Sequence, residues 1–276
     1  MNSISKIISG HGRLACITLD FELDYGDRIG EFNILQDHKS LTELSRLFSS
    51  LAIPVSAFVR TDVPINYPHS VDIIKSLAQD YHSHSHTHNM KHFDSEAEIS
   101  ATVIPFEKTF GKKPMGYRAP HGILREGDVA LLKKHGFRFS SSIFPSYRFG
   151  QFNNLSYPLE PFLWDNGIME LPFAVVPFVR TIISLSYLKL LGWGMNKTLF
   201  SLFGLPDVVV FDSHLHDYFC NEHSYNQLPL HLRMAWGMRR HAGIEYLKRF
   251  VELLRNQGYR FLTMTELYDL LSKGAA

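Results

Sequence analysis

Short β-rich runs separated by helix-compatible stretches repeat along almost the whole chain, and this alternation limits the possible architecture more than any other feature. The runs are Leu14–Glu22, Val55–Arg60, Tyr81–Ser85, Gly116–Ala119, Phe137–Ile143, Ile168–Phe173, Val208–Ser213 and Tyr259–Thr263. Between them the sequence predicts helices over Ser40–Leu51, Val71–Gln79, Ser95–Phe110, Gly127–His135, Gly243–Gln257 and Thr265–Lys273, with Pro105 expected to kink or split the third. The last two carry apolar residues at steps of three and four, as an amphipathic helix requires. Strand and helix alternating in this way favour a parallel sheet, closed or open, whose reactive groups gather at the C-terminal strand ends.

Composition narrows the options further. The chain has 276 residues, 45% of them hydrophobic and 20% charged, enough apolar material for a large core. No linker or fixed-period repeat divides it, so residues 1–276 are read as one domain. Lys and Arg number 28 against 27 Asp and Glu, a net +1 that argues against a broad nucleic-acid footprint. Cys16 and Cys220 lack the spacing of a zinc ribbon or redox pair, so reduced thiols are expected. The first twenty residues do not read as a secretory signal, which makes a cytoplasmic location the expectation. Pro177, Arg180, Ser184, Ser186 and Lys189 interrupt the apolar stretch from Phe173 to Trp193, leaving no bilayer-spanning run. The unusual count is histidine, at 15, the commonest metal ligand and the side chain that titrates near neutrality.

Chemically useful residues do fall at the strand ends. Thr18-Leu19-Asp20-Phe21-Glu22-Leu23-Asp24 runs an apolar strand into acids at alternate positions, which suits a metal or a proton acceptor. Alone it also fits a solvated acidic turn. Tyr81 to His92 places His82, His84, His86, His88 and His92 in eleven positions, with i, i+4 pairs at His82/His86, His84/His88 and His88/His92. A single histidine is more often a surface or core residue, but five together favour metal. Gly116-Tyr117-Arg118-Ala119-Pro120-His121-Gly122 sets an arginine before a turn, either to clamp a carboxylate or simply to face water. Val208-Val209-Val210-Phe211-Asp212-Ser213-His214-Leu215-His216-Asp217 delivers histidines and acids at the end of an apolar strand.

Taken in order, these segments resemble the polysaccharide deacetylase family, also called the NodB-homology domain or carbohydrate esterase family four, from Cys16 to about Leu271. The resemblance implies a single distorted (β/α) barrel. It makes Asp20 the catalytic base and Glu22 a metal ligand, with Glu replacing the family's usual Asp and Asp24 as the reserve ligand. The family's second motif has two histidines four apart, with Ser or Thr after the first. His84/His88 and His82/His86 both satisfy it, and Ser83 before His84 favours the former. Arg118-Ala119-Pro120-His121-Gly122 matches the third motif and pairs Arg118 with Asp20. Phe139–Pro145 and Met169–Phe173 resemble later strands, Phe261–Leu267 the closing strand and helix, and Asp165 lies near the loosely matched fourth motif. His214, with an acid three residues on, is the general acid, and His216 its competitor.

The resemblance implies hydrolysis of an N-acetyl group on an amino sugar by water activated at a divalent metal, zinc being the expected ion, held by Glu22, His84 and His88. Asp20 takes a proton and His214 gives one, so activity is expected to fall on both sides of a pH optimum. One alternative is deformylation or deacetylation of a lipid-linked amino sugar, or hydrolysis of another linear or cyclic amide. Val175–Phe203 is then a peripheral membrane contact, whereas its simpler reading is a barrel helix or capping loop. A further alternative is a catalytically silent carbohydrate-binding module.

Overall fold

The computed structural model of the protein describes residues 2–3, 8, 10–88 and 94–274. His92 of the His88/His92 pair lies outside the described residues. Parallel strands β1 (Leu14–Phe21), β2 (Val55–Val59), β3 (Asp80–Ser83), β4 (Gly116–Tyr117), β5 (Phe139–Ser140) and β6 (Met169–Glu170) pair in sequence order. On the other side of β1 lies β7 (Val208–Phe211), while the start of β1 also pairs with β8 (Arg260–Phe261). Antiparallel segments Phe162–Leu163 and Asn2–Ser3 extend the sheet beyond β6.

Irregular backbone closes the curl. Leu171 N–H donates to Ser140 O at 2.8 Å and Phe173 N–H to Ile143 O at 2.9 Å, after which Ala174 N–H donates to Val210 O at 3.0 Å. The chain leaving β6 thus reaches from β5 to β7, which gives the distorted (β/α) barrel. Strands β4, β5, β6 and β8 are shorter than the runs read from sequence, and after β8 the chain turns at Thr263 to start the closing helix. Gly116 is required by close approach, since a Cβ there would stand 2.3 Å from the Phe139 ring.

Alternation along each strand sends its residues to two different cores. Ala15, Ile17, Leu19 and Phe21 face outward with Val55, Ala57 and Val59. Helices α1 (His38–Leu51), α2 (Ser70–Leu77) and α7 (Gly243–Asn256) cover them through stripes such as Leu247, Phe250, Val251 and Leu254. Cys16, Phe58, Phe139, Leu171 and Val210 point inward, and α8 (Met264–Ser272) plugs that end of the barrel with Met264, Leu267 and Leu271. Further helices are α3 (Ser95–Phe110), α4 (Glu126–Lys134), α5 (Leu185–Leu191) and α6 (Trp193–Phe203), with shorter ones at Asp62–Asn66, Leu215–Tyr218, Glu222–Gln227 and Leu230–Gly237. Of the expected kink or split at Pro105, the split does not occur: α3 runs as one helix through it, capped by Asp94, which accepts from Glu96 and Ala97 N–H, and ended by Gly111 at φ 72°.

Candidate active site

The barrel interior is layered, and its chemistry is in the upper layers. Along β1 the inward residues after Cys16 are Thr18 and Asp20; along β3 they are Asp80, His82 and then His84 beyond the strand end. The ladder continues past the named strands. Asp20 N–H donates to Ser213 O at 2.9 Å, His84 N–H to Val59 O at 2.9 Å and Arg118 N–H to Ser83 O at 2.8 Å. Residues at or beyond the ends of β1, β3, β4 and β7 are thereby brought to one cavity of about 140 Å³.

Glu22, His84 and His88 converge there with donor atoms within 4.8 Å of one another. Glu22 Oε2 lies 3.5 Å from His84 Nε2 and 3.4 Å from His88 Nε2, and all three residues are buried or nearly so. Burial alone would raise the Glu22 pKa, but His84, His88 and His214 together hold it well below the usual carboxylate range. His84 turns Nδ1 to Arg118 O at 3.1 Å, which leaves Nε2 to face the cavity. His88 reaches the same point because the chain doubles back after β3, with Ser85 at φ 61° and His88 at φ 58°. The buried Glu98 of α3 fixes that turn by accepting from His86 N–H at 2.9 Å, Thr87 N–H at 2.8 Å and His88 N–H at 3.3 Å. The sequence reading passed over Glu98, although an acid on the stripe Glu98, Ile99, Thr102 and Phe106 is a detectable signal.

Asp20 lies beside this group. Arg118 Nη1 donates to Asp20 Oδ1 at 2.5 Å, to Thr18 Oγ1 at 3.0 Å and to Asp212 Oδ1 at 3.3 Å, while Nε donates to Ser141 O at 3.1 Å. The guanidinium is sandwiched between the Phe58 ring at 3.7 Å and the Phe173 ring at 4.4 Å, which fixes its plane. Asp20 Oδ2 is left toward the cavity, 3.7 Å from His84 Nε2 and 3.8 Å from His214 Nε2.

His214 presents Nε2 to Glu22 Oε1 at 3.5 Å and Nδ1 to Asp217 Oδ2 at 3.5 Å. Burial opposes the imidazolium, yet Asp212, Asp217, Glu22 and Asp20 raise its pKa well above that of a free histidine. Asp217 is itself anchored by Ser186 Oγ at 2.7 Å, Lys189 Nζ at 3.5 Å and His214 N–H at 3.1 Å. His216 sits behind, stacked on His214 with ring centroids 4.9 Å apart and close to Tyr25 and Trp236; burial lowers its pKa to about 4.

Asp212 had no role in the sequence reading. It shares strand parity with His214, the signal that was available. Burial and the neighbouring Asp20 push its carboxyl up to about 7 against the pull of His214 and Arg118.

Other candidates lie elsewhere. Asp24 accepts from Ile34 N–H at 3.2 Å and Ser224 Oγ at 2.6 Å, so it organises the loop after β1 and is not in the Glu22 group. His82 is buried one layer below, its Nε2 2.7 Å from Asp80 Oδ2, and His86 faces Thr61 Oγ1 at 2.9 Å. Asp165 is exposed in the turn after Phe162–Leu163, and the buried acid nearby is Glu170, which accepts from Ser142 and Ile143 N–H.

Two further acid–histidine groups, Asp20/Asp212/His214 and His214/His216/Asp217, have similar spacing. Arg118 already neutralises the first and Lys189 the second. Among the described residues no Lys or Arg pairs with Glu22, so the Glu22–His84–His88 group is the one whose donors suit a cation.

No protein-family model matches the sequence, and no curated protein matches it. Solved structures do. A protein of Mycobacterium smegmatis described as a polysaccharide deacetylase is 16% identical, with a TM-score of 0.62 over 96% of this chain and 92% of that one. A Puue allantoinase is 15% identical, with a TM-score of 0.57 over 96% and 92%. A carbohydrate esterase family four pseudoenzyme of Bacillus anthracis is 13% identical, with a TM-score of 0.55 over 94% and 66%. At these identities the likeness concerns architecture, and the chain has the NodB-type fold of the polysaccharide deacetylases.

Proposed function

We propose that this protein is a metal-dependent hydrolase that removes an N-acetyl group from an amino sugar in a glycan or glycoconjugate. The observation that carries the reading is the proximity of two functional groups: the Glu22–His84–His88 donor set, and Asp20 held between Arg118 and His214. Ionised Glu22 and two imidazoles fit a divalent first-row ion, zinc in our reading, and the outward hydrogen bond of His84 is the support such a ligand uses. When bound, such an ion supplies Lewis-acid polarisation of the amide carbonyl and makes water more acidic.

The chain's own residues do the rest. With Oδ1 occupied by Arg118, Asp20 keeps Oδ2 to accept a proton from the attacking water. His214 holds a proton at Nε2 on the cavity side, with Asp217 facing its other nitrogen, and gives it to the leaving nitrogen as the C–N bond breaks. Water and amide thus become a carboxylic acid and a free amine. The half-buried Phe144 ring and the buried Phe173 ring, stacked 3.8 Å apart at the cavity wall, exclude solvent from this transfer.

A silent carbohydrate-binding module has no need of Asp20, Arg118 and His214 in this mutual geometry. The test is released acetate from N-acetylated glucosamine oligomers with wild-type protein and Asp20→Asn. We expect a loss of about 10²–10⁴-fold with metal content unchanged; a near-wild-type rate in the variant would end the assignment.

A further inference from the structure

Beside the cavity mouth lies a group of exposed apolar side chains that the barrel does not use. A two-stranded hairpin (Tyr147–Arg148 and Phe152–Asn153) leaves Phe149 88% exposed at its tip, and the turn at Pro177–Arg180 leaves Phe178 85% exposed. Most other apolar residues of Val175–Phe203 are core, among them Val176, Ile183, Leu185, Leu188 and Phe200, so the outward-facing ones form a separate set. Phe178 adopts φ 66° and Arg180 φ 56°, and the turn is locked to the hairpin base. Ser146 Oγ donates to Arg180 O at 2.6 Å, and Arg180 Nη1 donates to Pro145 O at 3.2 Å and Tyr157 O at 3.0 Å. The Phe178 ring lies 6.5 Å from Phe203 at the end of α6, where Met195 and Leu202, seven residues apart and on one helix face, are also exposed.

We infer that this face rests on an anionic bilayer surface. Exposed Phe and Leu gathered on neighbouring turns and a helix end are what an interfacial contact buries among acyl chains. Charge favours the same occupant. No acid occurs from Val129 to Leu159 or from Leu171 to Pro206, and Arg148, next to Phe149, is exposed within these stretches. No helix among the described residues is long and apolar enough to cross a membrane, so the contact is peripheral. The same hairpin supplies Arg148 and Gln151 to the cavity wall, which puts the cavity mouth at the edge of the patch. The membrane contact does not depend on the hydrolase reading; only its consequence, that the amide is met at a bilayer surface, rests on it.

Co-sedimentation with vesicles of phosphatidylglycerol and phosphatidylcholine in equal parts tests the contact. The double variant Phe149→Ser/Phe178→Ser is compared with wild type and with Ile104→Ser, which alters a 77% exposed side chain on α3. Wild type and Ile104→Ser are expected to sediment alike, and the double variant's bound fraction to fall at least about tenfold. Its metal content and its rate on a water-soluble amide should stay unchanged, which separates this test from that of the catalytic site. Failure of wild type to sediment, or equal sedimentation of the double variant, would overturn the inference. So would a wild-type self-association without vesicles that the double variant lacks, which would assign the patch to a second copy of the chain.

Discussion

His82 and His86 stand four residues apart with a serine after the first, and so do His84 and His88. Their surroundings are entirely different. His82 and His84 share strand parity and both point into the barrel, but one layer, about 7 Å of strand, separates them. His82 is packed between Phe58 and Phe139 and bound to Asp80, which also accepts from Ser56 Oγ, Thr265 N–H and Thr265 Oγ1. This polar knot ties β2, β3 and α8 together at the closed end. His84 reaches the open end, where Glu22 and His88 wait. His86 and His88, past the strand, are sorted by the left-handed turn that Glu98 holds. One spacing therefore yields a structural staple and a candidate metal centre, and depth along the barrel decides which.

If that sorting is right, the largest kinetic effect outside the metal group after that of Asp20→Asn comes from His214→Ala, expected to lower the rate by about 10²–10³-fold with metal content intact. In wild type the rate should fall on the alkaline side as His214 loses its proton, at a pH well above that of a free histidine because its acidic neighbours raise the pKa. An alkaline limb that survives unshifted in His214→Ala would break the assignment.

Glu98→Gln comes next. Replacing the acceptor of three backbone N–H groups should loosen the turn carrying His88 and weaken metal affinity by about 10–100-fold, measured by competition with a chromophoric chelator. Unaltered affinity would show that the turn holds itself.

His82→Leu should act on the other half of the comparison. Leaving Asp80 buried without its imidazole is expected to cost about 3 kcal/mol in chemical denaturation, while metal content and rate stay within about threefold of wild type. Acid provides a second reading of the same staple. Burial opposes the Asp80 carboxylate, but His82 and the Thr265 donors hold its pKa far below normal. Its contribution to stability is thus complete above about pH 4 and lost as pH falls through the folded value. The variant should show a smaller acid-side loss than wild type.

Much of this was legible in the sequence. Strands ending in Asp20, Arg118 and His214 marked the end of the barrel that holds the candidate site, because strand periodicity and short connections constrain parallel α/β folds tightly. Depth was harder to read. Nothing in HSHSHTH marks where β3 stops, so His82/His86 and His84/His88 both satisfy the spacing, and only Ser83 before His84 favours the second pair. Asp24 looked like a ligand because alternation was extended past the strand end, where the chain turns instead to Ile34 and Ser224. Glu98 and Asp212 depend on contacts between distant segments, Glu98 with the histidine turn and Asp212 with Arg118, which spacing along a single element does not reveal.

The most direct measurement is metal stoichiometry, by elemental mass spectrometry, on purified wild type, His84→Ala and His86→Ala prepared side by side. About one equivalent of a divalent first-row metal is expected in wild type and in His86→Ala, and almost none in His84→Ala. Retention of the metal in His84→Ala together with its loss in His86→Ala would contradict the assignment of Glu22, His84 and His88 as the metal centre.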